Sequence, residues 1–521
     1  MQAMDWITSA VETVNGWVWS PALVVLCLLA ALYFSFRTRF VQVRRFGEMF
    51  KLLFSSVGKD KKSTGISSFQ AFAMALSGRV GTGNIVGVAT AIGFGGPGAI
   101  VWMWIIAFFG AGSAFVEATL AQIYKEDHNG QFRGGPAYYI EKGLRSPFFG
   151  ALFAVLTALA CGIFLPPVQG NSIALSCSRS FGIPAWIIGI IVASLLALVI
   201  IGGVKRIANV AQIVAPVMAM IYIVLAIVVL LVNWQIVPEV FMQMLRGAVG
   251  VNEVSGALLG STIAWGVKRG IYSNEAGQGT GAIVAAAAKV SHPVKQGLVQ
   301  AFSVYIDTLL VCTATAMMIL ACKTYNIIDT VTANGNSVAV TYLLQNPLAP
   351  DGEPGVFYTT AALGTVTGPR VGDMIISIAL FFFAFTTIMA YYYYAETNLV
   401  YLFNRWRRRI YKKHPERLDE LEEADRYFGD DRREKMVVWL LRIGTITVVF
   451  TASLQSSGFV WMLGDIGVGV MAWINIVAIL LLSPQALRAL KDYERQKKAG
   501  KDPEFHPRDL GITRFEYWND K

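Results

Sequence analysis

Apolar runs of about twenty residues recur along most of the chain, separated by polar connections. A helix rises 1.5 Å per residue, so each such run matches the roughly 30 Å hydrocarbon layer of a bilayer. Eleven spans are predicted, at about 21–38, 68–92, 97–121, 149–176, 184–202, 207–232, 255–287, 292–321, 370–404, 436–456 and 459–484. The first is not read as a cleaved leader, because no Lys or Arg precedes Arg37 and a basic n-region is missing. The pattern divides the chain into a peripheral helix with its connection (1–67), five spans (68–232), an external connection (233–254), five more spans (255–484) and a cytoplasmic tail (485–521). The outer connection 322–369 is long enough to act as a lid, with apolar stretches at 338–344 and around 356–366.

Two spans carry unusual numbers of glycines: 68–92, with Gly78, Gly81, Gly83 and Gly87, and 255–287, with Gly260, Gly266, Gly270, Gly277, Gly279 and Gly281. Each glycine costs a helix interior about 1 kcal/mol relative to alanine. Unwound backbone survives at bilayer depth only where it lines protein or a watery cavity. With the first span set aside, each glycine-rich segment opens a set of five, and an odd number inverts the second set relative to the first. Paired broken helices in two inverted halves point to a midplane binding site in a secondary transporter. The competing reading is close helix packing over small residues.

Composition agrees. Hydrophobic residues make up 55% of the chain and charged ones 15%, and the mean hydropathy is +0.52, too little polar surface to coat a soluble globule. The net charge of +10 is a matter of placement: 39 of the 44 Lys and Arg fall in alternating connections, which predicts an external N-terminus and a cytoplasmic C-terminus in the plasma membrane. Scattered over separate loops, these charges suit anionic lipid heads and do not suit nucleic acid. The loop 405–435 and the tail are read as solvated surfaces of mixed charge. Five cysteines without paired spacing and four histidines in polar connections argue against a disulfide framework and a metal centre. Gly93 to Gly98 matches a dinucleotide-binding pattern literally but joins two apolar spans and follows no strand. No nucleophile–base pair marks an enzyme, and no cofactor is expected.

Charged residues within spans are costly and need partners or functions. They are Arg79, Glu117, Lys268, Arg269, Glu275, Asp307, Glu396 and Asp465. Lys268 and Arg269 are expected to snorkel to the cytoplasmic interface, and Glu117 to accept bonds from broken helix ends. Asp307 has no basic neighbour in sequence; it takes a proton, binds a cation, or pairs with a distant arginine such as Arg79. Thr386 and Thr387 offer two hydroxyls at mid-span.

Several long motifs now bear on identity. SGRVGTGNIVGVATAIGFGGPGAIVWMW, FVEATLAQIYKE, RGGPAYYIEKGL, VKRGIYSNEAGQGTGAIVAAA, FSVYIDTLLVCTATAM and FAFTTI resemble the sodium-coupled alanine/glycine symporters, across nearly the whole chain. The resemblance implies an all-α polytopic fold of the LeuT type: a five-plus-five inverted repeat with one extra N-terminal helix and a broken first helix in each repeat. It implies import of a small neutral amino acid by symport with sodium. Thr82, Gly83, Asn84 and Gln169 would face the substrate, with Trp265 and Gly266 in the second unwound stretch. The carbonyls of Ser77, Val80 and Phe383 with the hydroxyls of Thr386 and Thr387 would bind sodium, and Asp307 is a further cation candidate. The family commonly shows GWYYYGE after FAFTTI, whereas this chain has Ala390 through Glu396 as AYYYYAE, which alters the pocket near Tyr391. Glutamine transport, a proton-coupled variant, and a channel or sensor that binds an amino acid without coupled flux are the alternatives; oligomeric state is left open.

Overall fold

A computed structural model describes residues 2–54, 65–128, 130–251, 253–334, 337–352, 354–413 and 432–518. Besides short helices at Val41–Arg44, Phe46–Phe54 and Pro507–Leu510, the helices are α1 (Gln2–Val18), α2 (Pro21–Arg37), α3 (Ser68–Arg79), α4 (Gly83–Gly95), α5 (Ala99–Ile123), α6 (Pro136–Gly143), α7 (Pro147–Phe181), α8 (Ala185–Ile200) and α9 (Gly203–Val232). They continue as α10 (Val237–Ala248), α11 (Glu253–Asn274), α12 (Thr280–Ala287), α13 (Pro293–Ala321), α14 (Val356–Thr367), α15 (Pro369–Lys413), α16 (Arg432–Ala452) and α17 (Ser457–Lys498). Eight helical stretches among the described residues are long and apolar enough to cross a bilayer; α4 and α8 are apolar but shorter.

The ends of these helices follow local chemistry. The Ser67 hydroxyl accepts the Gln70 N–H at 3.1 Å while the Gln70 side chain accepts the Ser67 N–H at 3.0 Å, a reciprocal cap that starts α3. Proline stands in the first turn of α6, α7 and α13, where its missing N–H costs nothing. Gly182, with φ +70°, closes α7. The bundle centre is built from α3, α4, α11 and α12, with α5 packed against α13 and α11, α9 against α3, and α7 against α15.

The molecule is mostly helical, but two hairpins interrupt it. β1 (Glu126–His128) pairs with β2 (Gln131–Arg133), and β3 (Ile327–Asn334) with β4 (Ser337–Leu344), both antiparallel. The second hairpin and α14 occupy the long connection 322–369. Two further helices, α1 and α10, lie where the sequence pattern suggests only flanking chain; both are too mixed in polarity for a window of uniform hydropathy to find.

The tail is not a solvated surface. Phe505 and Trp518 are buried, the Phe505 N–H donates to Ser291 at 3.1 Å, and the Trp518 indole donates to the Gln122 carbonyl at 3.0 Å. Lys125, fully buried, donates to the Ala288 carbonyl at 2.8 Å beneath the rings of Tyr517 and Phe132. Aromatic residues in a polar-looking segment supply the burial that its charges conceal. Of the loop 405–435, the first part continues α15 as helix, and residues 414–431 lie outside the described residues.

Candidate functional site

The helix α3 ends at Arg79, and Val80 turns to an extended conformation (φ −79°, ψ 90°). Helical bonding resumes in α4, whose first turn, Gly83–Gly87, is a wide π-helical one. Freed donors and acceptors at this break are taken up by side chains. The Gly81 N–H donates to Asn84 Oδ1 at 2.9 Å, and the Thr82 N–H to Gln169 Oε1 at 3.1 Å. On the acceptor side, Thr387 Oγ1 lies 2.7 Å from the Ser77 carbonyl, 3.3 Å from that of Val80 and 3.0 Å from that of Phe383. Thr386 bonds back to Phe383 at 3.0 Å within its own helix. A Cβ on Gly81 would collide with the Thr387 hydroxyl, so glycine is required for α15 to approach.

Asp307 sits on a second π-helical turn, Tyr305–Cys312 in α13. Its carboxylate accepts from Asn84 Nδ2 at 2.7 Å, Ser273 Oγ at 3.0 Å and Thr308 Oγ1 at 2.6 Å. Asn84 therefore spends one arm on the break and the other on Asp307. The expected pairing of Asp307 with Arg79 does not form: the Arg79 guanidinium bonds Gln300 and Ser303 on α13 instead. The six sodium-ligand candidates thus form two groups, five around Thr387 and Asp307 beside Asn84.

The second break lies elsewhere than the sequence suggests. Trp265 and Gly266 are inside the continuous helix α11, where a Cβ on Gly266 would strike the Ala99 carbonyl of α5 at 2.5 Å. Here the close-packing reading of glycine applies. The backbone opens at Glu275 (φ +56°), Gly277 (φ +85°) and Gly279 (φ +93°). Asn475 of α17 donates to both the Gly277 carbonyl and Glu117, each at 2.9 Å, so Glu117 does meet a broken helix end, through an amide. Trp265 instead stacks on Phe94 with ring centres 4.8 Å apart.

With the break displaced, Lys268 and Arg269 precede it, with side chains only 13% and 4% exposed. Both pair with Asp465 of α17, at 2.6 Å and 2.9 Å, and the Arg269 guanidinium lies among the rings of Trp265, Trp461 and Tyr272. This ion pair bridges α11 and α17. The opposite end is held by Arg133 and Glu396 at 2.8 Å and by the packed tail. Between these closures Thr82, Asn84, Gln169, Asp307 and Thr387 are each at most 1% exposed. Tyr391 is 2% exposed, its ring 6.0 Å from that of Tyr394.

Two hydroxyls at the first break, those of Thr82 and Tyr272, are buried facing one another and bond no other group among the described residues. Gly83 leaves little room beside them, since a Cβ there would stand 3.2 Å from the Tyr272 ring. Tyr272 and Ser273 escaped the sequence reading, which weighed the glycines on either side of them, Gly270 and Gly277, and not the polar residues between. Their position four or fewer residues before the true break was the available signal.

Two broken helices packed together at the bundle centre, with unwound carbonyls gathered on a facing hydroxyl, are the arrangement of a secondary transporter. The solved structure of MhsT in complex with L-phenylalanine has a similar fold, with a TM-score of 0.51 at 13% identity, covering 82% of this chain and 99% of that one. The sequence pattern described as the sodium:alanine symporter family matches residues 4–414 and 423–507, and the chain belongs to that family. It is 44% identical over 463 residues to the sodium/proton-dependent alanine carrier protein of Bacillus sp. (strain PS3), covering 89% of this chain and 96% of that protein. It is 34% identical over 500 residues to the sodium/alanine symporter AgcS of Methanococcus maripaludis, covering 95% and 99%.

Proposed function

We propose that this protein imports a small neutral amino acid, alanine or glycine, by symport with sodium through alternating access. The observation that carries the reading is the convergence of the Ser77, Val80 and Phe383 carbonyls on Thr387 beside an unwound helix. Sodium takes oxygen ligands, and this group offers three carbonyls and two hydroxyls from helices that must move relative to one another. Asp307 adds a carboxylate on the other side of Asn84. At the break, the N-terminus of α4 favours the carboxylate of a zwitterion. The facing Thr82 and Tyr272 hydroxyls serve its polar groups, Gly83 and Asn84 line it, Gln169 holds the unwound strand, and Tyr391 closes one wall. Trp265 and Gly266 belong to the outer closure in this reading.

Energetically, one sodium crossing about 100 mV contributes about 2.3 kcal/mol. A tenfold gradient adds about 1.4 kcal/mol, which together support roughly 500-fold accumulation. The basic connections support a plasma-membrane orientation with the N-terminus outside and the C-terminus in the cytoplasm.

Purified protein in proteoliposomes tests the proposal. Radiolabelled alanine is expected to accumulate above its external concentration with a sodium gradient and to stop when potassium replaces sodium. Equilibration without accumulation overturns coupled transport in favour of a channel, and glutamine displacing alanine from uptake at lower concentration than glycine reassigns the substrate.

A further inference from the structure

Beside the packed tail, the first turn of α7 and the last turns of α15 frame a cavity of about 280 Å³, the volume of roughly nine water molecules. Tyr401, Arg405, Arg408 and Arg409 line it from α15, at spacings of three and four residues that put them on one helix face. Glu126 of β1 and Glu141 of α6 stand opposite, and Pro147 opens α7 at the rim. The carboxylates already have cations. Glu126 lies 2.7 Å from Lys142 and 3.0 Å from Arg408, and Glu141 lies 3.3 Å from Arg405 and accepts from the Tyr401 hydroxyl. Glu516 of the tail is shared by Lys142 at 3.0 Å and Arg408 at 3.9 Å. Three carboxylates against these three cations balance, and Arg409 is left over. It is exposed, and it has no carboxylate partner among the described residues.

The mouth of the cavity is apolar. Pro147 is followed directly by Phe148 and Phe149, 69% and 53% exposed, at the start of a helical stretch long and apolar enough to cross a bilayer. Aromatic rings turned outward at the end of such a helix sit at the level where acyl chains meet head groups. A surplus guanidinium inside and two rings at the rim suit a ligand that is anionic at its head and apolar behind it. We propose that this cavity binds the phosphodiester head of an anionic phospholipid, with the phosphate on Arg409 and the acyl chains along Phe148 and Phe149. A guanidinium presents paired N–H groups that match two phosphate oxygens, which a point charge does not. Basic pockets between membrane helices hold lipid heads in this way. A free phosphate offers the same oxygens but nothing for the rings, and a zwitterionic lipid brings its own cation to a wall of three arginines.

The test titrates the purified full chain in detergent with phosphatidylglycerol, phosphatidylcholine or inorganic phosphate, and reads bound molecules by native mass spectrometry. Wild type should hold one phosphatidylglycerol at concentrations where phosphatidylcholine has dissociated. Arg409→Gln should weaken phosphatidylglycerol roughly 10- to 150-fold, the loss of a charge-assisted contact. Lys205→Gln removes an exposed cation from a separate connection and should cost at most about fivefold, the effect of one diffuse surface charge. Because Arg409 has no carboxylate partner, thermal unfolding of Arg409→Gln without lipid should match wild type. Phe148→Ala combined with Phe149→Ala gives a second route, and should weaken phosphatidylglycerol while leaving inorganic phosphate unchanged. Equal affinity for the two lipids, or equal losses in Arg409→Gln and Lys205→Gln, overturns the site. Inorganic phosphate bound more tightly than phosphatidylglycerol, with the same dependence on Arg409, overturns the lipid as its occupant.

Discussion

Replacing Thr387 by valine removes the oxygen on which three backbone carbonyls converge while keeping a β-branched side chain of similar shape. The wild-type hydroxyl lies 2.7 to 3.3 Å from the carbonyls of Ser77, Val80 and Phe383. Ser77 lies in α3, Val80 just past its end and Phe383 in α15, so the change strikes the contact between the broken helix and its neighbour. A polar contact to a charged group contributes about 1.5–3 kcal/mol. Loss of one sodium ligand should therefore raise the half-saturating sodium concentration for alanine uptake roughly 10- to 150-fold. Thr387→Ser restores the oxygen and should recover most of this. Thr386→Val provides a contrast, because that hydroxyl bonds only within its own helix and its removal isolates the ligand contribution from cross-helix packing. Uptake is measured against sodium concentration at fixed membrane potential, with thermal unfolding of each purified variant recorded alongside. A Thr387→Val protein that folds and half-saturates within about twofold of wild type removes Thr387 from the sodium site.

Asn84→Ala deprives Asp307 of a donor and Gly81 of an acceptor, and should cost about 2–4 kcal/mol in thermal or denaturant unfolding; an unchanged unfolding curve contradicts the double bond assigned to it. Asp465→Asn leaves Lys268 and Arg269 beside a neutral amide and should destabilise by about 3–5 kcal/mol, partly recovered when Lys268 is changed to methionine in addition; a denaturation midpoint matching wild type refutes that closure. Burial pushes the His292 imidazole down to about 4, against the pull of Asp492 at 3.5 Å. Its folded value lies below the unfolded value near 6.5, so the buried ring stays neutral and stability falls as pH drops from about 6.5 toward about 4, by on the order of 3 kcal/mol. His292→Gln should blunt that acid sensitivity, measured as apparent Tm at about pH 7 and about pH 5. A cysteine at Arg408 should react with impermeant thiol reagents only from the cytoplasmic face; labelling from outside in intact cells reverses the orientation.

The first break was legible because its glycines, its Asn and its polar partner on α7 stand in one short motif each. The second was misplaced by about ten residues, and the reason is physical. Glycine serves two ends, close approach of helices and positive φ, and sequence counts both alike. Gly266 and Gly270 lie against Ala99 and Ile106 of α5, whereas Gly277 and Gly279 carry the left-handed backbone. The same error sent Lys268 and Arg269 to the wrong side of the break. Asp307 was recognisable as a buried carboxylate in need of partners, but those partners come from residues up to 223 positions away in the chain.

What the sequence determined by itself is what depends on local composition and periodicity. Apolar runs of bilayer length and the need of any unwound backbone between them for polar partners both follow from the cost of placing backbone and charge in hydrocarbon. Tertiary structure alone decided which freed carbonyl meets which hydroxyl, that Asp465 closes over two cations, and that the charged tail buries Trp518 against α5. These contacts join elements far apart in sequence, and a hydrogen bond exists only over a few tenths of an ångström, a precision that no local pattern encodes.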